Sequence, residues 1–167
     1  MGAWTWTRDI APDFAAPAHP GERILRLSDF RGQYVVLYFY PRDMTRGCTN
    51  EAVQFRDLYD AFRRMRAAII GVSRDSLSRH ARFAEKYALP FPLVSDPEGD
   101  IARKYGVWVQ KRLYGRTSWG MERATFLIDP AGRIRAVWRK VRVPGHAAEV
   151  LQALQMLQES DDLSDGA

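Results

Sequence analysis

Apolar residues along the chain follow two spacings, which predict strands alternating with helices. Tyr34–Tyr40 is a short β-branched and aromatic run between Gly32 and Pro41, which predicts a strand buried on both faces. Directly after it, apolar residues recur at helical spacing and predict a helix to about Arg66. These residues are Val53, Phe55, Leu58, Tyr59, Phe62 and Met65. The pattern therefore predicts a strand, a loop and a helix in succession.

The remaining pattern continues this alternation. Further strands are predicted at 24–27, 67–72, 91–94, 125–129 and 134–141, and further helices at 76–87, 101–105 and 147–158. The last two strands form a predicted hairpin around Pro130–Arg133. The residues expected to be buried on the helices are Leu77, Ala81, Phe83, Ala84, Val150, Leu151, Leu154 and Leu157. Prolines disfavour a helix before Gly21, so the N-terminal residues are expected to form an extended lead-in segment. Residues 107–121 are expected to be irregular.

Strands alternating with helices favour an α/β layer fold with a central mixed sheet flanked by helices. With 167 residues, 46% of them hydrophobic, the chain is expected to form one domain over residues 1–158. The acidic, small residues 159–167 are expected to be a disordered tail.

The net charge of +5 raises the possibility of a nucleic-acid partner, but its distribution argues against one. Arginines are spread along the chain among acidic residues, and the densest run, Arg133–Arg142, alternates with apolar residues. We interpret this as a solvated basic surface without nucleic-acid binding. No run is long enough for a membrane span and residues 1–8 lack a signal-type apolar segment, so we expect a cytoplasmic protein.

Cys48 is the only cysteine, and it lies where the predicted loop turns into a helix. Unpaired N–H groups and the helix dipole favour an anion there, so a thiol at this position ionises more easily. Gly47 lets the backbone approach closely, while Thr49 and Asn50 suit a first helical turn. On position alone, a buried inert thiol remains the alternative.

The residues before the thiol carry a specific resemblance. Pro41, Thr45 and Cys48 form Pro-x-x-x-Thr-x-x-Cys, which resembles the active-site motif of the peroxiredoxins. Other blocks are similar to the bacterioferritin comigratory protein (PrxQ) branch of that family, and the similarity runs from about Asp13 to the last helix. These blocks lie at residues 27–32, 38–41, 47–52, 71–76, 83–87, 92–96 and 105–108.

The resemblance implies a thioredoxin-like fold and a thiol-dependent peroxidase that reduces hydrogen peroxide and organic hydroperoxides. Cys48 would attack a peroxide oxygen, leaving negative charge on the other oxygen. The hydroxyl of Thr45 would donate to sulfur or accept from the peroxide, and Pro41 would shield the thiolate without adding an N–H donor. Arg123 matches the arginine that peroxiredoxins place against the thiolate.

Three further residues are expected at the substrate. Gly47 would offer backbone N–H donors, Glu51 would orient Arg123 or another site group, and Tyr40 would line the pocket. A dipole-favourable glutamate and core packing of the tyrosine are the plain alternatives. Arg42 and Arg46 flank the loop and are expected to face solvent.

The chain departs from its relatives at Val53, where many PrxQ-type proteins carry a second, resolving cysteine. The resemblance therefore implies a one-cysteine variant whose sulfenic acid waits for an external thiol, from thioredoxin, a glutaredoxin or glutathione. Val53 is expected to bury against the core. The protein would need no cofactor and would be a monomer or a weak dimer. A peroxide sensor that relays oxidation to a partner is the alternative function.

Other cysteine chemistries find less support in the residues. A cysteine hydrolase needs a histidine base, and His19, His80 and His146 lie in no block resembling a protease. A thiol–disulfide oxidoreductase would carry Cys-x-x-Cys, which is absent. One cysteine and three scattered histidines show no metal-ligand spacing.

Overall fold

The computed structural model describes residues 4–6 and 9–165, which are built around an eight-stranded mixed sheet. The strands are β1 (Trp4–Trp6), β2 (Ala15–His19), β3 (Arg23–Arg26), β4 (Tyr34–Phe39), β5 (Ala67–Ser73), β6 (Leu93–Ser95), β7 (Trp108–Leu113), β8 (Arg116–Met121), β9 (Ala124–Ile128) and β10 (Ile134–Trp138). The helices are α1 (Arg46–Asp57), α2 (Tyr59–Arg64), α3 (Leu77–Tyr87), α4 (Asp100–Lys104) and α5 (His146–Asp165).

The strand order in the large sheet is β1-β10-β9-β4-β5-β6-β2-β3. The central strands β4, β5 and β6 are parallel, and the other pairings are antiparallel. Parallel neighbours require crossover connections, and helices α1 and α2 supply the one between β4 and β5. The predicted mixed sheet flanked by helices is confirmed.

Strand β4 is buried on both faces, as predicted, and its side chains alternate between two cores. Tyr34, Val36 and Tyr38 belong to the core under α1, α3 and α5. Val35, Leu37 and Phe39 belong to the core on the opposite face, which α4 covers. The carboxyl end of β4 is thereby fixed in the middle of the sheet, and the chain leaves it directly into the cysteine loop.

The helix predicted from the cysteine loop to about Arg66 is divided at Leu58. Its backbone has φ −101° and ψ 5°, which ends α1, and α2 begins at the next residue. The helical spacing of apolar residues survives this break, since Phe55 and Phe62 pack in the same core. Val53, expected in the core, is only half-buried.

The lead-in before Gly21 contains a strand that its prolines did not indicate. Strand β2 pairs antiparallel with β3 and, through Ala18 and His19, with β6. Strand β6 pairs with β2 only at Ala18 and His19, so at Pro17 strand β2 has a strand neighbour on one side alone, as at a sheet edge where proline is tolerated. The predicted edge strand at 24–27 is confirmed as β3, the last strand of the sheet.

Residues 107–121 form an antiparallel hairpin, β7–β8, so the expectation of an irregular stretch is wrong. Its two-residue turn consists of Tyr114 and Gly115, both with positive φ, as such hairpins require. Most side chains of both strands are exposed or half-buried, so the apolar alternation that reveals a half-buried strand is absent.

The C-terminal helix continues to Asp165, so the expected disordered tail is wrong for residues 159–165. Asp161 explains the difference, because it accepts hydrogen bonds from the Tyr34 hydroxyl at 2.5 Å and Arg135 Nη1 at 3.1 Å. Arg135 is buried and also contacts Asp129, so this part of the basic run is not a solvated surface. Residues 166 and 167 lie outside the described residues. Among those described, no helix combines the length and apolar character that crossing a membrane requires.

Burial on the helices matches the prediction in part. Phe83 and Ala84 are buried on α3, whereas Leu77 and Ala81 are half-buried. On α5 the buried residues include Val150, Leu154 and Leu157, while Leu151 is half-buried. The fully buried His80 on α3 was not predicted.

Candidate active site

Cys48 lies in the first turn of α1, where the loop from β4 meets the helix, and only 1% of it is exposed. Thr45 is the N-cap residue, with extended backbone, and its side chain makes no capping hydrogen bond. The N–H groups of Gly47 and Cys48 therefore meet no capping oxygen from Thr45. Together with the helix dipole they favour an anion at this position.

Arg123 connects the thiol to a buried carboxylate. It lies between β8 and β9, and its guanidinium donates from Nη2 to Cys48 Sγ at 3.3 Å and from Nη1 to Glu51 Oε1 at 2.7 Å. Burial alone would lower the pKa of Arg123, but the negative charges of Glu51 and Cys48 raise it overall. The cation is therefore permanent, and its planar fork bridges sulfur and carboxylate.

Gly47 leaves the space that this arginine occupies. A Cβ added to Gly47 would lie 3.1 Å from Arg123 Nη2, the nitrogen that donates to Cys48. The group that comes close to the backbone at Gly47 is thus the guanidinium of Arg123.

Thr45 and Pro41 lie on the loop that leads to Cys48. The Thr45 hydroxyl donates to the carbonyl of Arg42 at 2.9 Å, and the residue is exposed. Because the single hydroxyl proton is donated to the Arg42 carbonyl, the Thr45 oxygen can only accept a further hydrogen bond. It can therefore accept from the O–H of a peroxide but cannot also donate to the sulfur of Cys48. Pro41 is half-buried directly after Tyr40. Arg42 and Arg46 are exposed, as expected.

Tyr40 is fully buried and packs against Tyr38, so it lies in the core and not on an open pocket wall. Its hydroxyl donates to Asp43 Oδ1 at 2.6 Å. Burial, followed by the charge of Asp43, raises the pKa of Tyr40 well above its ordinary value, so the phenol stays protonated.

Glu51 is buried beneath the arginine, and only its Oε1 has a partner among the described residues. Burial raises the pKa of Glu51 from 4.5 to about 7, and the charge of Arg123 offsets only part of that rise. The orienting contact expected for this residue is present, since the same guanidinium reaches both Glu51 and Cys48.

A second cation, Lys111 of β7, was missed by sequence reasoning because it lies in the stretch expected to be irregular. Its ammonium donates to the carbonyl of Met121 at 2.6 Å. Burial lowers the pKa of Lys111, the nearby charge of Arg123 lowers it further, and the charges of Glu122 and Cys48 raise it. The hairpin thus brings another positive group into the electrostatic environment of the thiol.

The two buried histidines do not serve the thiol as bases. His146 Nε2 lies 2.8 Å from Thr125 Oγ1, and burial together with Arg123 lowers the pKa of His146 to about 4. His80 is engaged with Asp43 and the carbonyl of Val94. Within the described residues, the hydrogen bond recorded for Cys48 Sγ comes from Arg123. This arrangement does not fit the cysteine hydrolase alternative, whose base must reach the sulfur.

Comparison with known proteins gives the site its context. The sequence model of the AhpC/TSA family matches residues 7–137, which is more than half of the chain. The chain belongs to the AhpC/TSA family. It is 49% identical to peroxiredoxin Bcp of Bacillus subtilis over 149 residues, covering 89% of this chain and 94% of the relative. It is 40% identical to Escherichia coli peroxiredoxin Bcp over 147 residues, covering 88% and 94%.

Solved structures agree with this assignment. The Xanthomonas campestris bacterioferritin comigratory protein superposes with a TM-score of 0.82 at 40% identity, covering 86% of this chain and 90% of the other. Xylella fastidiosa PrxQ superposes with a TM-score of 0.83 at 38% identity, covering 91% and 98%. The resemblance to the Bcp/PrxQ peroxiredoxins and the thioredoxin-like fold are confirmed, and the protein is a thiol-dependent peroxidase.

This peroxiredoxin differs from one of those relatives in its cysteines. Solved mutants of Xanthomonas campestris peroxiredoxin Q replace two different cysteines by serine, so that protein has at least two. The present chain has Cys48 alone. No intrachain disulfide can form here.

Replacing Gly47 by alanine in this peroxiredoxin should lower activity without lowering stability. The new Cβ would push Arg123 Nη2 away from its place 3.3 Å from Cys48, whereas alanine favours helix over glycine by about 1 kcal/mol. We expect the rate constant with hydrogen peroxide to fall about tenfold and the melting temperature to stay equal or rise. Stopped-flow oxidation and thermal denaturation measure the two effects. An unchanged rate would show that the arginine adapts without loss.

Replacing Glu51 by glutamine should change how stability depends on pH. The unfolded chain releases the Glu51 proton near pH 4.5 and the folded chain near pH 7, so between these values the folded state holds more protons. The wild-type free energy of unfolding therefore falls as pH rises through that window, by on the order of 3 kcal/mol from this group. Glutamine removes this loss, so the variant should gain stability relative to wild type from about pH 5 to pH 8. Urea unfolding at both pH values measures the difference, and a constant difference would contradict the assignment.

Proposed function

We propose that this peroxiredoxin reduces hydroperoxides by a one-cysteine cycle that an external thiol completes. The Cys48 thiolate attacks one peroxide oxygen, the O–O bond breaks, and the other oxygen leaves and takes up a proton as water or an alcohol. The sulfur is thereby oxidised to a sulfenic acid. An incoming thiol condenses with it to a mixed disulfide and water, and a second thiol frees Cys48 and departs with the first as a disulfide.

The observation that carries this proposal is the hydrogen bond from the guanidinium of Arg123 to the sulfur of Cys48. A guanidinium 3.3 Å from the sulfur stabilises the attacking thiolate and stands beside the position where the peroxide must enter. The N–H groups of the first turn of α1 and the acceptor oxygen of Thr45 complete the set of groups that can hold the peroxide. These contacts support roles for Cys48, Thr45 and Arg123, with Glu51 holding the arginine. The proposed role of Pro41 as a shield comes from the resemblance and from its half-buried place on the same loop.

Hydrogen peroxide and organic hydroperoxides are the proposed substrates. Structural work on the Xanthomonas campestris relative concerns its alkyl peroxide reduction, which supports including organic hydroperoxides here. The proposed reductants are glutathione, a glutaredoxin or thioredoxin, acting on a monomer or a weak dimer. We place the reaction in the cytoplasm, where such thiols keep a lone cysteine reduced.

The deciding experiment is peroxide consumption at steady state with each thiol donor in turn. We expect many equivalents of peroxide to be consumed per protein with at least one donor. Consumption of a single equivalent with all donors would reject the turnover cycle and favour the peroxide sensor. The sensor remains the second candidate because Cys48 is almost fully buried, which shields a sulfenic acid from incoming thiols.

Without a thiol donor, graded peroxide should oxidise Cys48 beyond the sulfenic acid. No second cysteine competes with peroxide for the sulfenic sulfur, so sulfinic acid should accumulate on a monomer. Intact-mass spectrometry would show one and then two added oxygens. A Cys48–Cys48 disulfide dimer as the main product would contradict this expectation and indicate resolution between two copies.

A further inference from the structure

A buried polar network holds the loop between β4 and α1, which carries Pro41 and Thr45. Its centre is Asp43, which is 1% exposed and has all four of its polar groups bonded. The backbone N–H of Asp43 donates to Asp75 Oδ2 at 2.8 Å, and its carbonyl accepts from Arg79 at 3.1 Å. Its Oδ1 accepts from the Tyr40 hydroxyl, and its Oδ2 lies 2.6 Å from His80 Nδ1.

The three side chains Asp43, Asp75 and His80 could also be read as a metal site, since their ligand atoms lie within 4.8 Å of one another. The contacts argue otherwise. The carboxylate of Asp75 already accepts from the Ser73 hydroxyl at 2.6 Å, from Arg79 Nε at 2.8 Å and from the Asp43 N–H. Burial would raise the pKa of Asp75, but these hydrogen bonds lower it overall, which describes a carboxylate held by protein donors. The cluster is therefore a hydrogen-bond network rather than a cation site.

Each ring nitrogen of His80 has one hydrogen-bond partner. His80 is fully buried, and its Nε2 lies 3.0 Å from the carbonyl of Val94, which can only accept, so Nε2 carries a proton. One further proton lies between Nδ1 and Asp43 Oδ2, whichever of the two atoms holds it. Without that proton, two lone pairs would face each other at 2.6 Å. The His80–Asp43 contact is therefore a buried hydrogen bond that links α3 to the loop between β4 and α1.

This link acts close to the reacting atoms. Asp43 lies two residues after Pro41 and two before Thr45, and Met44 between Asp43 and Thr45 has a positive φ of 68°. A non-glycine residue in that region persists only where its surroundings hold it. The Asp43 contacts supply that hold together with the hydrogen bond from the Thr45 hydroxyl to the Arg42 carbonyl, so they contribute to where the Thr45 oxygen lies relative to Cys48.

We propose that His80 is a positioning residue for peroxide reduction, acting through Asp43 on the loop that carries Pro41 and Thr45. The proposal rests on the attack of Cys48 on peroxide and not on the identity of the thiol that later reduces it. Loss of the link should leave the thiol in place while misplacing the groups that align the peroxide. A displacement of about 1 Å in such groups lowers a rate by as much as about a hundredfold.

Two substitutions of His80 separate its two hydrogen bonds. In His80→Asn the amide nitrogen takes the place of Nδ1 and keeps a donor to Asp43, while the bond to Val94 is lost. In His80→Gln the amide nitrogen takes the place of Nε2 and keeps the bond to Val94, while the link to Asp43 is lost. His19→Gln, at a half-buried histidine of β2 outside the network, is the matched control.

The readout compares two reactions of the same sulfur without any thiol donor. The rate constant with hydrogen peroxide needs the aligned loop, whereas alkylation of Cys48 by iodoacetamide needs only a reactive, accessible thiol. We expect His80→Gln to slow the peroxide reaction about ten- to a hundredfold with alkylation within about twofold. His80→Asn and His19→Gln should stay within about threefold of wild type in both reactions.

Equal losses in His80→Asn and His80→Gln, or a wild-type peroxide rate in His80→Gln, would overturn the proposal. Parallel changes in both reactions would also overturn it, because they would indicate a general disturbance of the site. If His80→Gln does not fold, Tyr40→Phe decides, since it removes only the hydroxyl bond to Asp43 and keeps the ring. It should slow the peroxide reaction several-fold, and a wild-type rate would count against the proposal. A wild-type protein that did not react with peroxide would instead refute the proposed function.

Discussion

Replacing Cys48 by serine should abolish peroxide consumption while leaving the fold intact. Serine is close in size to cysteine, but its hydroxyl does not ionise near neutral pH and cannot perform the displacement at oxygen. Arg123 keeps its partner Glu51 at 2.7 Å, so the buried guanidinium is not left unpaired. We expect peroxide consumption at buffer background with every thiol donor, and a circular dichroism spectrum equal to that of wild type.

The single cysteine makes this test clean. Cys48→Ser removes the only thiol in the chain, so no second sulfur can provide residual activity. Peroxide consumption that persisted in the variant would assign the chemistry to another group and would reject Cys48 as the nucleophile.

The core of the site was predictable because its signals are local. A buried strand, a loop with a proline and a glycine, and a helical apolar pattern occur in one stretch of sequence, and together they place Cys48 at a helix start. The identity of Arg123 as a partner came from the resemblance alone. Arg123 is 75 residues from Cys48, and no periodicity relates the two positions.

The parts that sequence did not reveal depend on contacts between distant residues. The last turns of α5 consist of small and acidic residues apart from Leu163, so their composition is typical of a disordered tail. The contacts of Asp161 with Tyr34 and Arg135 show that they belong to the helix. Likewise, His80 lies on a helix whose pattern marks other residues for burial. Its partner Asp43 is 37 positions away on the loop between β4 and α1.

The hairpin β7–β8 was not predicted, for a different reason. Its strands are mostly exposed, so neither face produces the alternation that identifies a half-buried strand. The remaining signal is the Tyr114–Gly115 turn, which is weak without flanking apolar alternation. Because Lys111 lies on this hairpin, missing the strands also meant missing a cation near the thiol.

Arg123→Met should slow the reaction with hydrogen peroxide by about two to three powers of ten, the scale of losing one preorganised charged donor. Methionine fills similar space but offers no donor to Cys48, which loses its contact at 3.3 Å. The rate of Arg123→Lys should lie between those of Arg123→Met and wild type. An ammonium keeps the positive charge but lacks the planar guanidinium that reaches sulfur and carboxylate together. Arg46→Met is the matched control. Arg46 is an exposed arginine in the first turn of α1, and its substitution removes the same charge from the surface. Its rate should stay within about twofold of wild type.

The same substitution makes a second prediction, about stability, which separates lost catalysis from lost folding. Removing one partner of a buried ion pair ordinarily costs about 3 to 5 kcal/mol. Here Glu51 already has a pKa raised to about 7 by burial, and without the arginine it would take up a proton more readily still. Arg123→Met should therefore be nearly as stable as wild type near pH 6 and lose stability as pH rises, when a carboxylate must be buried without a cation. Adding Glu51→Gln should remove that pH dependence but not restore the peroxide rate. A double variant that regained the wild-type rate would show that Arg123 serves only to neutralise Glu51, and would reject its role at the thiolate.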